Sequence, residues 1–120
     1  MIDENFLLEI KHNIGFRPVF HDDYIPSFVM DSDNLVMKFQ ILKEHARNFT
    51  NVDFNKDVLF TVIFRKIQDL LFETDGFCND VTCLIFDFSI KKKEERYHVE
   101  IEPSCGLYMN FTAESFEITR

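Results

Sequence analysis

Val58-Leu59-Phe60-Thr61-Val62-Ile63-Phe64 is the most hydrophobic run of the chain, and it predicts a central β-strand. Nearly every position holds a β-branched or aromatic residue, and these residue types pack well on a pleated surface. Because apolar side chains occur on both faces of the run, we expect both faces to be covered. The core would cover one face, and a helix near the N-terminus would cover the other.

Alternating apolar and polar residues predict further strands on both sides of this run. Residues 24–30 and 35–42 flank the turn-forming residues 31–34 and predict a β-hairpin. Pro26 has no N–H to donate, so the first of these strands is expected to be an edge strand or to carry a bulge. Beyond the central run, strands are predicted at residues 70–73, 81–90, 97–102, 107–113 and 116–118.

The connections between these strands are predicted from their turn residues. Residues 91–95 form a lysine-rich hairpin tip, and residues 103–106 contain proline and glycine and form a second turn. A bulge is expected near Glu114-Ser115, because the apolar positions shift by one residue there. Residues 43–57 are polar and poorly periodic, so they are predicted to be the longest loop.

The N-terminus predicts a short helix. Asp3 is a candidate N-cap and Gly15 a candidate C-cap in the left-handed conformation. Between them, one apolar stripe at spacings of three and four residues is formed by Phe6, Leu7, Ile10 and Ile14. The sequence therefore predicts one β-rich α+β domain over residues 1–120. A helix within residues 1–15 packs on a body at residues 16–120, which is a mostly antiparallel six- or seven-stranded sheet or a small sandwich.

Phenylalanine is the unusual component of the composition. The 120-residue chain holds 15 phenylalanines and no tryptophan. Each buried aromatic side chain removes on the order of 150–250 Å² from water. We therefore expect phenylalanine rings to supply most of the core volume.

The chain is acidic, with 13 lysines and arginines against 21 aspartates and glutamates and a net charge of −8. This charge repels nucleic acid and anionic membrane surfaces, and it speeds the encounter with basic proteins. Solubility alone would also explain an acidic surface. Nucleic-acid and membrane partners are therefore not expected.

The N-terminal residues do not resemble a secretion signal, because Asp3 and Glu4 stand where a basic region would precede an apolar one. No apolar run approaches the roughly 20 residues that span a bilayer. Three cysteines, an odd number, do not indicate a disulfide framework, and we expect reduced thiols at Cys78, Cys83 and Cys105. These features predict a cytoplasmic protein.

Phe20-His21-Asp22-Asp23 precedes the first predicted strand and is the stretch richest in chemical groups. His21 and Asp22 could bind a metal or a small molecule. They could equally form a structural corner, in which a carboxylate accepts backbone N–H bonds and a histidine ring fixes a loop. No second cluster of ligands, no nucleophile motif and no phosphate-binding loop accompany them. The sequence therefore predicts no enzyme, no catalytic residue, no metal site and no cofactor.

The same stretch carries a family resemblance. Residues 17–25, Arg-Pro-Val-Phe-His-Asp-Asp-Tyr-Ile, resemble the W-P-S-F-H-D-A-E-V signature of the immunity protein 50 family, which is associated with bacterial polymorphic toxin systems. Residues 58–64 resemble the family's central strand, and residues 69–77 its D-L-x-L-x-G-F stretch. Residues 102–107 resemble its S-x-Y-G turn, and residues 116–118 its closing strand.

The resemblance implies an intracellular protein that neutralises a cognate toxin by occluding it, without turnover. It also marks Phe20, His21 and Asp22 as motif residues with a structural or partner-contacting role. An acidic immunity protein would suit a basic toxin domain, such as a nuclease. The oligomeric state is not implied.

Two further pairs are candidates for contact with a partner. Glu100 and Glu102 share one strand face with His98, and this face is either simply solvated or part of an acidic binding surface. Phe49 and Phe54 either fix the polar segment to the body or stand exposed as anchors for a partner. The alternatives to the immunity function are a metal- or small-molecule-binding domain that uses His21 and Asp22, and a structural subunit of a larger complex.

Overall fold

The computed structural model describes residues 1–49, 54–74 and 83–120. Its helices and strands are α1 Glu4–Ile14, β1 Tyr24–Asp31, β2 Asn34–Ile41, α2 Lys43–Phe49, β3 Val58–Arg65, β4 Gln68–Thr74, β5 Cys83–Lys93, β6 Arg96–Ala113 and β7 Ser115–Thr119. The seven strands form one antiparallel sheet in the order β4-β6-β5-β1-β2-β3-β7. The β-rich α+β prediction is confirmed, and the strands form a single sheet.

The sheet bends sharply where β3 is followed by β4 and where β6 is followed by β7. β3 pairs with β7 and β4 pairs with β6, so two consecutive pairs of strands bend together. At this bend of the sheet, the Glu114 N–H donates to the Arg65 carbonyl over 2.9 Å. The irregularity predicted near Glu114-Ser115 is a bend at Glu114, which ends β6 and precedes β7.

β6 reverses direction along its own length. Eighteen fully extended residues would span roughly 59 Å, whereas the longest dimension of the molecule is 39 Å. The Arg96 Nε donates to the Thr112 hydroxyl over 3.0 Å, and the Tyr108 hydroxyl donates to the Glu100 carboxylate over 3.0 Å. The chain therefore folds back between residues 100 and 108. That segment contains the predicted turn at residues 103–106.

The core lies between α1 and the inner face of the curved sheet. Phe6, fully buried on α1, lies 5.5 Å between ring centroids from Phe88 and 5.0 Å from Phe116. Phe20 adds contacts to Phe88 at 4.8 Å and to Phe39 at 5.4 Å. Phenylalanines are eight of the 26 buried apolar residues in the described part of the chain, so they are a large share of the core but do not supply most of it, contrary to the expectation.

Both ends of α1 have the predicted caps. The Asp3 carboxylate accepts the backbone N–H groups of Asn5 and Phe6 over 3.0 and 3.2 Å. Gly15 has φ +94°, and its N–H donates to the Lys11 carbonyl over 2.8 Å. A glycine suits this position because other residues rarely adopt a positive φ.

Three expectations about the strands and loops change. The outer face of β3 is not covered by the helix, and Leu59 on that face is 47% exposed. The segment predicted as a loop at residues 43–57 begins with the helix α2. The hairpin tip between β5 and β6 is limited to Glu94 and Glu95, both with positive φ, as a two-residue turn of the hairpin type requires. The bulge expected at Pro26 is confirmed by a register shift between Tyr24 and Ser27.

The cysteines differ in state. Cys83 is buried and free, and burial raises the pKa of its thiol to about 11. Cys105 is disulfide-bonded, so the expectation of a reduced thiol is wrong at this position. Cys78 lies outside the described residues. In the described part of the chain, neither helix has the length and apolar character needed to cross a membrane.

Candidate functional site

The stretch before β1 forms a tight corner clipped to β5. The Asp23 N–H donates to the Phe20 carbonyl over 3.2 Å, which closes the turn. The Asp22 N–H donates to the Ile85 carbonyl, and the Ile85 N–H donates to the Asp23 carbonyl, each over 2.8 Å. Phe20 and Asp22 both have positive φ, which is costly for residues with side chains. Burial of the Phe20 ring and the two bonds to β5 hold the chain in this conformation.

His21 fixes the corner through its ring. Its Nδ1 lies 2.7 Å from the Phe86 carbonyl oxygen, and its ring meets the exposed Phe86 ring edge-on at 5.5 Å. Its Nε2 lies 3.4 Å from the Asp22 carboxylate. This geometry matches the structural corner, in which a histidine fixes a loop. In the described ranges, no group of three or more histidine, cysteine or acidic side chains is placed to hold a metal ion.

A bulge on β5 turns Phe86 outward. The pairing of β5 with β6 shifts between Ile85 and Asp87, so Phe86 is the additional residue. Bulges commonly redirect a side chain in this way. The Phe86 side chain is 54% exposed although β6 lies on one side of it and the corner before β1 on the other. A large apolar ring is therefore presented to solvent.

Carboxylates occupy positions on β5 and β6 next to Phe86. Asp87 lies directly opposite Glu102 in the β5–β6 pairing. Along β6, Glu100 accepts the Tyr108 hydroxyl, which in turn accepts the Asn110 side-chain amide over 3.2 Å. The Asn110 bond lowers the pKa of Tyr108, but burial, the bond to Glu100 and the charge of Glu100 and Glu102 raise it overall. Asp87, Glu100 and Glu102 therefore place three carboxylates on neighbouring positions of β5 and β6.

We call this surface the acidic face, and its residues are His21, Asp22, Phe86, Asp87, Glu100, Glu102 and Tyr108. A half-open groove of about 190 Å³ adjoins it, lined by Ser89, Lys91, His98, Val99, Glu100 and Asn110. The structure thus brings the motif residues His21 and Asp22 onto the same side as Glu100 and Glu102. Phe86 and Asp87 join the two groups, and the sequence had not singled out either of them.

The other candidate pair does not join this surface. The Phe54 ring lies 5.7 Å from the Phe16 ring, and its carbonyl accepts the Arg47 guanidinium over 2.9 Å. Phe54 therefore packs against the body of the protein, which is one of the two roles predicted for it. The side chain of Phe49 lies outside the described part of the chain.

Sequence reasoning missed the role of Asp23. Its side chain is fully buried, and its Oδ1 accepts the Leu42 N–H over 3.0 Å and lies 2.7 Å from the His45 Nδ1. Its Oδ2 has no hydrogen-bond partner among the described residues. Burial raises the pKa of Asp23, against the opposing effect of the Leu42 and His45 bonds. His45 is 22 positions away and in a segment predicted as a loop, so no local spacing could indicate the pair.

Comparison with solved structures finds one similar fold, a crystal structure of an uncharacterized protein from Neisseria gonorrhoeae. The TM-score is 0.58 at 12% sequence identity, over 85% of this chain and 94% of that chain. At this identity the likeness concerns the fold alone. No family model matches the chain, and no curated protein matches it.

Proposed function

We propose that this chain is an immunity-type binding protein that neutralises a basic toxin domain by covering it with the acidic face, without catalysis. The observation that carries the proposal is the exposed Phe86 ring beside the facing carboxylates of Asp87 and Glu102. The ring also contacts His21, whose Nε2 lies near the Asp22 carboxylate. The resemblance of residues 17–25 to the immunity protein 50 signature supports the same function.

The acidic face has the composition of a binding surface. Exposed aromatic side chains at the centre of an interface often carry most of its binding free energy. Surrounding charges speed the encounter with an oppositely charged partner and discriminate against partners of the same charge. Phe86 would supply the anchor, and the carboxylates would select a basic domain.

The corner supports the surface mechanically. The His21 ring contacts the Phe86 carbonyl, and the Asp22 N–H and the Asp23 carbonyl both bond to the backbone of Ile85. An anchor on a strand that is fixed in this way loses little conformational freedom when a partner binds. The motif residues His21 and Asp22 would therefore act mainly by presenting Phe86.

The proposed location is the cytoplasm, where such a toxin would have to be met. The disulfide-bonded Cys105 is the feature that a reducing compartment does not favour. The proposed function does not depend on the state of Cys105, because the acidic face does not include it.

Co-expression tests the proposal. The tagged protein is isolated from its native cell, and each stoichiometric polypeptide that copurifies is expressed alone and together with this chain. We expect a basic domain that arrests growth alone and is tolerated when this chain is present. A partner that is harmless alone would instead favour a structural subunit and overturn the immunity function.

Variants then locate the surface. Phe86→Ala and the double change Asp87→Lys, Glu102→Lys should abolish protection. The matched controls are Leu59→Ala, a similarly exposed apolar residue on β3, and Glu9→Lys, an exposed carboxylate on α1. Protection that survives the acidic-face variants but fails with the controls would place the interface elsewhere.

A further inference from the structure

Asp23 and His45 join the corner to α2 at a position removed from solvent. The Asp23 side chain is 1% exposed and that of His45 is 28% exposed, with 2.7 Å between Oδ1 and Nδ1. The same Oδ1 accepts the Leu42 N–H, immediately before α2 begins. One carboxylate oxygen of the corner therefore contacts both the residue before α2 and a residue within α2.

Among the described residues, few other charges act on Asp23. Asp22, on the same turn, adds a negative charge. At the first residue of α2, the Asp57 carboxylate accepts the Lys43 N–H over 2.9 Å. It also accepts the Gln40 side-chain amide over 2.7 Å. These two bonds lower the pKa of Asp57, so it stays ionised when Asp23 begins to take up a proton. β5 faces Asp23 with the backbone N–H of Ile85.

We propose that Asp23 and His45 form a proton-dependent latch, which holds α2 on the corner more tightly when the pair carries one proton beyond neutral histidine and ionised aspartate. This device is separate from the proposed function, and it requires no partner.

The direction follows from the charge of the buried pair. With ionised aspartate and neutral histidine, the pair places one negative charge in a site where one carboxylate oxygen has no partner among the described residues. One added proton cancels this charge, whether it resides on Asp23 or on His45. A buried carboxylate with a raised pKa binds a proton more tightly than the same group exposed to water. Docking of α2 is therefore strongest at lower pH, and it weakens as the pH rises and the pair loses this proton.

Amide hydrogen exchange on the whole protein tests the latch. The His45 and Ala46 amides both donate to the Leu42 carbonyl, so their protection reports the first turn of α2. After correction for intrinsic exchange, we expect their protection to rise about tenfold on going from about pH 8 to about pH 5. The Gly15 amide, at the end of α1, should not show this rise.

Two variants separate the latch from a simple hydrogen bond. His45→Gln keeps a donor but cannot take up a proton, and Asp23→Asn keeps the acceptor for Leu42 but removes the charge. Both should fold and lose the pH dependence of α2 protection, whereas His12→Gln, an exposed histidine on α1, should keep it. Protection in the wild type that does not change with pH would overturn the latch. A pH dependence that persists in His45→Gln and Asp23→Asn would overturn it as well.

Discussion

Asp87 and Glu102 lie directly opposite each other on β5 and β6, so two carboxylates occupy neighbouring positions on the outer face of the sheet. Like charges that face each other across strands destabilise a sheet. No basic side chain forms an ion pair with either of them among the described residues. A costly pair of this kind is expected where binding, and not stability, selects the residues.

Asp87→Asn should therefore stabilise the fold, by about 0.2–1 kcal/mol, because it removes the repulsion with Glu102. Urea unfolding measures the change. Glu9→Gln, which removes an exposed carboxylate from α1, is the control and should have no comparable effect. A loss of stability in Asp87→Asn would mean that a favourable contact of the carboxylate outweighs the repulsion.

Phe86 and Phe88 are close in sequence but opposite in environment, which gives a matched pair of truncations. Phe86 is 54% exposed, whereas Phe88 is 1% exposed. Phe86→Ala should change the free energy of unfolding by no more than about 0.5 kcal/mol, as surface substitutions usually do. Phe88→Ala should cost about 3–5 kcal/mol.

Chemical denaturation of the two variants decides between a surface anchor and a structural residue. The proposed function requires Phe86→Ala to fold like the wild type while losing protection against the toxin. If Phe86→Ala is as unstable as Phe88→Ala, then Phe86 contributes to the core and its exposure is not a binding feature.

The sequence predicted those parts of the fold that depend on local patterns. The α1 caps at Asp3 and Gly15 are local signals, and so is the alternation of apolar residues along β2. The missed helix α2 has only seven residues, too few for a clear period, and it is stabilised by Asp23 and Asp57 from distant parts of the chain.

Only half of the candidate site was predicted, because the other half also depends on contacts between distant parts of the chain. Glu100 and Glu102 could be found from strand alternation, and His21 and Asp22 from their chemistry. Their connection depends on the β5 bulge, which turns Phe86 outward and places Asp87 opposite Glu102. A bulge is set by pairing between strands, and the alternation along β5 does not indicate it.

Asp57 should stabilise α2 with a pH dependence opposite to that of the latch. Its Oδ1 accepts the Lys43 N–H, one of the groups at the start of a helix that lack an intrahelical partner. This bond is the main reason why the pKa of Asp57 is lowered, followed by the bond from the Gln40 side chain. The stabilisation is therefore complete above the ordinary aspartate pKa of 3.8, and it is lost as the pH falls through the lower pKa of the folded state.

Asp57→Ala should cost about 0.5–2 kcal/mol at neutral pH, as removal of a helix-capping carboxylate usually does. Unfolding measured between about pH 7 and about pH 2 should show the difference from the wild type shrinking at the acidic end. Glu9→Ala serves as the control for loss of a carboxylate without a cap. A difference that stays constant over this range would show that the carboxylate charge is not what stabilises α2.

Phe6 is the largest of the three buried side chains by which α1 packs on the sheet; the others are Ile10 and Ile14. It is fully buried, and its ring contacts Phe88 and Phe116 on different strands as well as Phe64 and Phe20. Phe6→Ala should cost about 3–5 kcal/mol, because the sheet cannot close around the vacated volume. That is a large part of the roughly 5–15 kcal/mol by which a domain is stable, so Phe6→Leu provides a variant with a smaller loss that remains folded.

Leu8 lies on the same helix and is 47% exposed, which makes Leu8→Ala the matched control. Thermal and urea unfolding should rank the proteins with wild type and Leu8→Ala nearly equal, Phe6→Leu lower and Phe6→Ala lowest. Loss of the α1 signal by circular dichroism while the sheet still unfolds cooperatively would show that the helix is dispensable to the core. In that case the phenylalanines of the sheet would have to pack among themselves, and the core described around Phe6 would be wrong.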